Sequence, residues 1–203
     1  MTPPMVAAAP AALRSACGRR IPLHVDRWFD DPRPEEHALL AHALGPVIDI
    51  GCGPGRHVRA LNANGVPAVG LDHAPSAVAL AERRGTPVIL GSVFDPIPSE
   101  GRWATALLLD GNVGIGGDPI RLLRRVRGVV RPGGRVLVEV EPPGSGTGRL
   151  RVRAELDGEI ASPWFPWALV GAEEVPAIAG RARFAATHIA PENDRWFARL
   201  EAR

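Results

Sequence analysis

The chain has 203 residues, 45% of them hydrophobic and 23% charged, which fits one folded domain and excludes a wholly disordered protein. Its 24 basic residues almost balance 22 acidic ones, and a net charge of +2 gives little attraction for nucleic acid. All the basic residues are arginine, and tyrosine is absent too, so a lysine Schiff base and a tyrosine acid or base are excluded.

The sequence also bears on compartment and metal binding. No stretch reaches the about 18 consecutive apolar residues of a membrane helix. The first ten residues are interrupted by prolines and have no basic leader, so we expect no secretion signal and a cytoplasmic location. The two cysteines, Cys17 and Cys52, form no C-x-x-C pair, and we expect neither a disulfide nor a metal site.

Strands and helices alternate through the first two thirds of the chain. Residues 1–33 have no clear period and are predicted to be a flexible N-terminal segment, followed by a single domain over residues 34–203. The domain begins with an alternating pattern, which predicts a mainly parallel sheet with right-handed crossovers. Helices are predicted at 34–44, 56–64, 75–84 and 119–130, and strands at 47–50, 66–71, 86–90, 103–109 and 135–140.

The last third has a different pattern. Alternating apolar and charged residues at 150–156, followed by Asp157-Gly158, predict a hairpin insertion near 149–164. A short helix is expected at 172–179, and an antiparallel hairpin from residues 181–188 and 195–201. No second domain with a core of its own is predicted.

A compact glycine loop, Gly51-x-Gly53-x-Gly55, follows the first strand of the domain, and Asp72 ends the next strand. A dinucleotide site needs G-x-G-x-x-G, and Arg56 occupies the third glycine position. The loop suits a ligand with an amino-acid tail, and the Asp72 carboxylate suits a ribose diol. Asp49 lies inside a strand, where it needs a partner, either loop N–H groups or a ligand ammonium. The alternative is a turn that binds nothing.

These residues resemble a known family. Residues 47–55, Val-Ile-Asp-Ile-Gly-Cys-Gly-Pro-Gly, resemble motif I of the class I S-adenosylmethionine (SAM)-dependent methyltransferases. Residues 130–138 resemble the sequence motif that leads into strand five in this family. The similarity covers residues 35–141. It implies an α/β, Rossmann-like class I methyltransferase fold, with a mostly parallel seven-stranded sheet, helices on both faces and an antiparallel C-terminal hairpin. It also implies SAM as cofactor.

The resemblance assigns cofactor contacts residue by residue. Glycines of the loop line the methionine half, Asp49 supports the loop or the α-amine, Asp72 binds the ribose, and His73 lies beside the adenine. The family often has an acid where this chain has Ser92, so the adenine contact falls to Ser92, to Asp95 or to a backbone group near Val93. The full set of expected cofactor residues is Asp49, Gly51, Cys52, Gly53, Gly55, Asp72, His73, Ser92, Val93, Phe94, Asp110, Gly111 and Asn112.

Substrate and catalytic residues are less defined by the pattern. The family's N-terminal segment often covers the site, so residues 1–33 are a candidate substrate lid, with Arg27 and Trp28 as candidate substrate contacts. Trp164 and Trp167 form either a wall for the substrate or part of the core. A base is needed only for a protonated acceptor, and Asp110 and His24 are its candidates, although His24 also fits a solvated tail.

Methyl transfer from SAM to a small-molecule acceptor by in-line displacement is the function expected from this resemblance. Two alternatives stay open: a SAM-binding module without turnover, and a methyltransferase acting on nucleic acid or protein. The near-neutral charge argues against a nucleic-acid substrate, and no membrane partner is expected. Neither the acceptor, nor the attacked atom, nor the oligomeric state follows from the sequence.

Overall fold

The computed structural model describes residues 11–203, so the part of the predicted flexible segment before Ala11 lies outside the described residues. A seven-stranded sheet forms the centre of the molecule, in the order β11-β12-β7-β6-β3-β4-β5. Five strands are parallel, β12 runs antiparallel to β7, and β11 runs antiparallel to β12. This arrangement confirms the predicted fold class. The strands are β3 (Val47–Ile50), β4 (Ala68–Asp72), β5 (Val88–Leu90), β6 (Trp103–Leu108), β7 (Val130–Val140), β11 (Phe184–Glu192) and β12 (Arg195–Ala202).

Helices cover both faces of this sheet. The helices are α1 (Pro34–Leu40), α2 (Arg56–Ala63), α3 (Pro75–Arg83), α4 (Pro119–Val129) and α5 (Val175–Arg181). One apolar cluster packs α4 and α5 against one face, and a second packs α1 and α2 against the other. The central strands are therefore buried on both sides, which explains why β6 is buried along its whole length and is apolar except for Thr105.

Two of the boundaries that differ from the predictions have a structural explanation. Helix α1 ends at Leu40 instead of continuing to residue 44. The backbone of Leu44 is held instead by Thr105 in β6, because the Leu44 N–H donates to the Thr105 hydroxyl and the Leu44 carbonyl accepts from it. Strand β7 already begins at Val130, where a break was expected over residues 131–134. Val130 pairs with Trp103, and a register shift before Thr105 accommodates the extra residues.

A second sheet is antiparallel and was not predicted as a sheet. It has the order β10-β8-β1-β2, with β9 paired to β8. The strands are β1 (Ala12–Ser15), β2 (Arg20–Pro22), β8 (Gly148–Leu156), β9 (Glu159–Ile160) and β10 (Phe165–Leu169). Residues 12–22 thus form paired strands, which differs from the flexible segment predicted over 1–33. They do so because β8 offers them an open edge.

Candidate active site

The carboxyl ends of the parallel strands β3, β4, β5 and β6 meet at one edge of the central sheet. Each strand is followed there by a segment that the sequence singled out: the glycine loop, residues 72–74, residues 91–95 and the loop that begins at Asp110. Ligands of open α/β sheets bind at this edge. The predicted cofactor residues therefore converge on one place in the fold.

The three loop glycines all have positive φ angles but serve different purposes. A Cβ at Gly51 would lie 2.6 Å from the Asn112 Nδ2 atom, and a Cβ at Gly55 would lie 2.4 Å from the Thr86 Cγ2 atom. These two glycines make room for the chain's own side chains. Only at Gly53 does a Cβ meet no heavy atom within 4 Å. The open space beside the loop is therefore at Gly53.

Asp72 closes the glycine loop from the neighbouring strand. Its side chain is largely buried, its Oδ2 atom accepts the Gly53 N–H at 2.9 Å, and its Oδ1 atom accepts the Ala74 N–H at 2.9 Å. Each carboxylate oxygen has two lone pairs and so keeps one for a further donor. Two free acceptor sites on one carboxylate match the two hydroxyl hydrogens of a diol.

Asn112 connects the glycine loop to the loop after β6. Its Nδ2 atom donates to the carbonyl oxygens of Ile50 at 2.9 Å and Gly51 at 3.0 Å. The loop reaches this position through two consecutive left-handed residues, Asp110 with a φ of 54° and Gly111 with a φ of 79°. A positive φ in a non-glycine residue is strained and needs surrounding support.

The segment after β5 is fixed by its own hydrogen bonds. The Ser92 hydroxyl accepts the Phe94 N–H at 3.1 Å, and the Val93 carbonyl accepts the Arg125 Nε–H at 2.8 Å. His73, the other predicted adenine neighbour, has a side chain that is 86% exposed. Ser92, Asp95 and the Val93 backbone thus stay the candidates for binding the adenine.

Cys52 faces the sheet instead of the open side of the loop. Its sulfur atom would lie 2.4 Å from a Cβ at Gly70 in β4, and the residue is buried. Burial raises the pKa of the Cys52 thiol, and the charges of Asp49 and Asp72 raise it further. The predicted cofactor contact of Cys52 can thus involve its backbone, while its side chain packs inside the protein.

Below the loops lies a network of buried charges that the sequence did not predict. Glu36 on α1 is fully buried and contacts Arg56 at 2.6 Å and Arg195 at 2.7 Å. Arg56 in turn donates to both carboxylate oxygens of Asp110 at 2.8 Å. Burial alone would raise the pKa of Glu36, but hydrogen bonds from His57, Arg195 and the Arg33 N–H lower it. The spacing of Glu36 with the buried Leu39 and Leu40 is the one sequence signal that places it on the inner face of α1.

His57 lies between two carboxylates of this interior. Its Nδ1 atom is 3.5 Å from the Asp49 Oδ2 atom, and its Nε2 atom is 3.3 Å from the Glu36 Oε1 atom. Burial alone would lower the pKa of His57, but the neighbouring carboxylates of Asp49 and Glu36 raise it to about 9. The partner of Asp49 is therefore His57, where the sequence suggested loop N–H groups or a ligand ammonium.

Comparisons with known proteins show what this chain is similar to. A family model described as a methyltransferase domain matches residues 48–138. A SAM-dependent methyltransferase from Bacteroides fragilis, solved with S-adenosyl-L-homocysteine, superposes with a TM-score of 0.77 at 24% identity, covering 97% of this chain and 90% of that one. The chain therefore shares the Rossmann-like fold of SAM-dependent methyltransferases.

Two further structural neighbours of this chain are named for their substrates. The 1,6-didemethyltoxoflavin-N1-methyltransferase of Burkholderia thailandensis gives a TM-score of 0.63 at 19% identity, covering 88% of this chain and 81% of that one. A sugar N-methyltransferase from Streptoalloteichus gives a TM-score of 0.65 at 19% identity, covering 89% of this chain and 91% of that one. These similarities establish the fold. No curated protein is similar enough in sequence to count as a relative.

The residues present fit SAM, the cofactor that the sequence resemblance implies. Gly53 leaves open space at the loop, and the Asp72 carboxylate has two free acceptor sites. A cleft of about 570 Å³, which we call the loop cleft, reaches Gly53 and Pro54 and is walled by Trp28 and Phe29. This volume lies within the range of about 300–1,000 Å³ that is usual for small-molecule sites.

The two candidate base residues are placed differently from the expectation. Asp110 is bound by Arg56 at 2.8 Å and by Arg195 at 3.2 Å, so its carboxylate is already occupied by two guanidinium groups. This pairing suits a residue that holds the loop after β6, and it disfavours the predicted role as a base. His24 is exposed and lines neither the loop cleft nor the second cavity, described below.

The candidate substrate residues divide in the same way. Trp28 lines the loop cleft, and Trp167 packs against the loop after β6, with its Cζ2 atom 3.9 Å from where a Cβ of Gly111 would lie. Trp164 is 39% exposed beneath the guanidinium of Arg153, and Arg27 lines neither cavity. Trp28 and Trp167 are thus near the site, whereas Trp164 and Arg27 are not brought to it.

A second cavity, which we call the edge cavity, has a volume of about 160 Å³. It lies beyond the carboxyl ends of β6 and β7, between Gly111 and the turn that joins β11 to β12. Its lining residues include Gly111, Glu139, Glu141, Asp194, Arg195 and Trp196.

Among residues 11–203, no group of three acidic, histidine or cysteine side chains could hold a metal ion, and no helix is long and apolar enough to span a membrane.

Proposed function

We propose that this protein is a methyltransferase and that it transfers the methyl group of SAM to a small-molecule acceptor. The observation that carries the proposal is the edge cavity, because it opens beside Gly111, in the loop that the family places at the methyl group. Its volume of about 160 Å³ is close to that of a cavity of about 150 Å³ that accommodates benzene. Such a space suits the reacting part of a small molecule.

The net charge and two of the structural neighbours support the same class of acceptor. A net charge of +2 supplies little general attraction for nucleic acid. Two of the proteins with this fold are described by their names as acting on 1,6-didemethyltoxoflavin and on a sugar. Both are small molecules.

In this proposal, the protein acts mainly by positioning. Bound SAM supplies a methyl group that its sulfonium already makes electrophilic. Gly51, Gly53 and Gly55 hold the methionine half, Asp72 accepts the ribose hydroxyls, and residues 92–94 receive the adenine. Asp110 is fixed by Arg56 and Arg195 and positions Gly111 at the border of the edge cavity. Alignment of this kind supplies on the order of 7 kcal/mol or more in favourable cases.

The cofactor site is tested by two matched glycine substitutions. Gly53 and Gly65 both have positive φ angles and open space around a Cβ, but only Gly53 faces the proposed site. Each change to alanine should cost about 1–2 kcal/mol of stability from backbone strain. Isothermal titration should show SAM binding weakened at least tenfold by Gly53→Ala and unchanged by Gly65→Ala. Absence of SAM binding to the natural protein, or equal effects of the two changes, would contradict the assignment.

The acceptor class needs a separate experiment. The protein is incubated with SAM carrying a labelled methyl group and a cell extract, and the products are divided into small molecules, proteins and nucleic acids. We expect the label among the small molecules. Label in protein or nucleic acid would favour a macromolecular substrate, and SAM binding without any transferred label would favour a module without turnover.

A further inference from the structure

The charged residues around the edge cavity are predominantly acidic. Glu139, Glu141 and Asp194 line it, and Arg195 is the one basic residue among its lining residues. The indole of Trp196 lies in the same lining and is half-buried. Acidic groups beside an aromatic ring form an environment that favours a cation.

Arg195 does not supply a free positive charge to this cavity. Its side chain is only 10% exposed and contacts Glu139 at 2.7 Å, Glu36 at 2.7 Å and Asp110 at 3.2 Å. Three carboxylates therefore share one guanidinium. Arg195 is held in place as part of the buried network, and it is not available to attract an anionic substrate.

Glu139 is equally committed to the protein. One of its carboxylate oxygens accepts the Arg195 Nε–H at 2.8 Å, and the other accepts the Asp110 N–H at 2.6 Å. Neither oxygen is free of a protein donor. Glu139 thus lines the edge cavity with both of its carboxylate oxygens already hydrogen-bonded to the protein.

Glu141 differs from both residues. Within residues 11–203, its carboxylate makes no hydrogen bond and no ion pair, although it is half-buried at the end of β7. Its backbone is fixed, because its N–H donates to the Val170 carbonyl at 2.8 Å and its carbonyl accepts the Ala172 N–H at 3.0 Å. Burial raises the pKa of Glu141, against the lowering effect of the Arg19 charge. Glu141 is a positioned acid with unused acceptor sites.

We propose that the edge cavity binds the amino group of the acceptor and that Glu141 accepts a proton from it, so that this enzyme is an amine N-methyltransferase. The inference rests on the proposed small-molecule methyl transfer. An ammonium group has no lone pair, so a base must take one of its protons before the nitrogen can attack. The nitrogen pair then forms the N–C bond, the C–S electron pair stays on sulfur, and the proton held by Glu141 passes to solvent.

The test compares two probes of nearly the same shape, benzylamine and benzyl alcohol. Each is titrated by NMR into the protein saturated with S-adenosylhomocysteine, and the Trp196 indole signal reports binding. We expect benzylamine to bind about tenfold more tightly than benzyl alcohol. Equal binding of the two probes, tighter binding of the alcohol, or no binding of either at millimolar concentration would overturn the inference.

Variants assign the effect to Glu141. Glu141→Gln keeps the shape of the side chain and should weaken benzylamine about tenfold while leaving benzyl alcohol unchanged. Glu201→Gln, an exposed position at the far end of β12, is the matched control and should change neither probe. Loss of both probes in Glu141→Gln would indicate a structural role and overturn the proposal. The comparison of the two probes on the natural protein tests the proposal even if the variant fails to fold.

The same titrations separate this inference from the proposed function. Binding of S-adenosylhomocysteine is measured first and without any probe. If S-adenosylhomocysteine does not bind, the proposed methyl transfer fails. If it binds but the amine is not preferred, only the amine inference fails.

Discussion

Gly70 and Cys52 show how single atoms determine the path of the glycine loop. A Cβ at Gly70 would lie 2.4 Å from the Cys52 sulfur and 3.0 Å from the Cys52 Cβ atom. The side chain of Cys52 therefore occupies the space that a side chain at position 70 in β4 would need. Both residues are buried, so neither can move toward solvent to relieve the contact.

We expect Gly70→Ala to destabilise the protein by about 1–3 kcal/mol, because the added methyl group overpacks a buried contact. Removing the sulfur with Cys52→Ala should recover part of this loss, giving an interaction energy of about 1 kcal/mol in a double-mutant cycle. Urea denaturation measures all four proteins. Gly180→Ala, where a Cβ in α5 meets open space, is the control and should be neutral or stabilising. Strictly additive effects of the two substitutions would contradict the described packing.

Among single residues, the sequence identified the glycines and Asp72 but not the reasons for them. The positive φ angles agree with the expected sharp turn. The neighbours of Gly51 and Gly55, however, are Asn112 and Thr86, which lie far away in the sequence. A pattern of residue types carries no information about such contacts, so it could not separate the one open glycine from the two packed ones.

At the level of elements, strand β1 connects the N-terminal residues to the second sheet. It lies between β2 and β8, and Leu13 is buried opposite Ile21 and Ala154. Without β1, β8 would present an unpaired edge on this side. Residues 12–22 are therefore part of the folded structure that lies near the loop after β6.

Leu13→Ala tests whether this strand is integral to the fold. We expect a loss of about 2–4 kcal/mol from the removal of buried methyl groups, and faster hydrogen exchange at the amides of residues 149–156. The adjacent Arg14→Ala removes only a partly exposed ion pair with Glu155 and should cost about 1 kcal/mol or less. If the two substitutions had equal and small effects, the segment would be as flexible as the sequence predicted.

The central sheet could be predicted from the sequence, whereas the second sheet could not. Alternation of strands and helices is a local pattern, and parallel neighbours follow from it through short crossovers. Strand β1, in contrast, has four residues and pairs with residues 152–155, so its partner is most of the chain away. Local periodicity does not report pairing at that distance.

Across the whole molecule, the buried charges join elements that are distant in sequence. Glu36 on α1, Arg56 on α2, Asp110 after β6, Glu139 on β7 and Arg195 on β12 form one connected set. The sequence gives only the near-neutral net charge of the chain. It does not show which of the charged side chains are paired. The network holds Asp110, so the loop at the edge cavity depends on helices and strands from both ends of the chain.

The pH dependence of stability should reveal this network through His57. Its pKa is raised to about 9 in the folded protein from an ordinary value of 6.5, so folding favours the protonated ring. This contribution is fully present below pH 6.5 and is lost as the pH rises through about 9, a change of about 3 kcal/mol. Urea denaturation at pH 6.5, 7.5 and 8.5 measures it. The natural protein should lose stability over this range relative to His57→Gln, which cannot titrate there. Parallel pH profiles for the two proteins would show that His57 is not held in its charged form by Asp49 and Glu36.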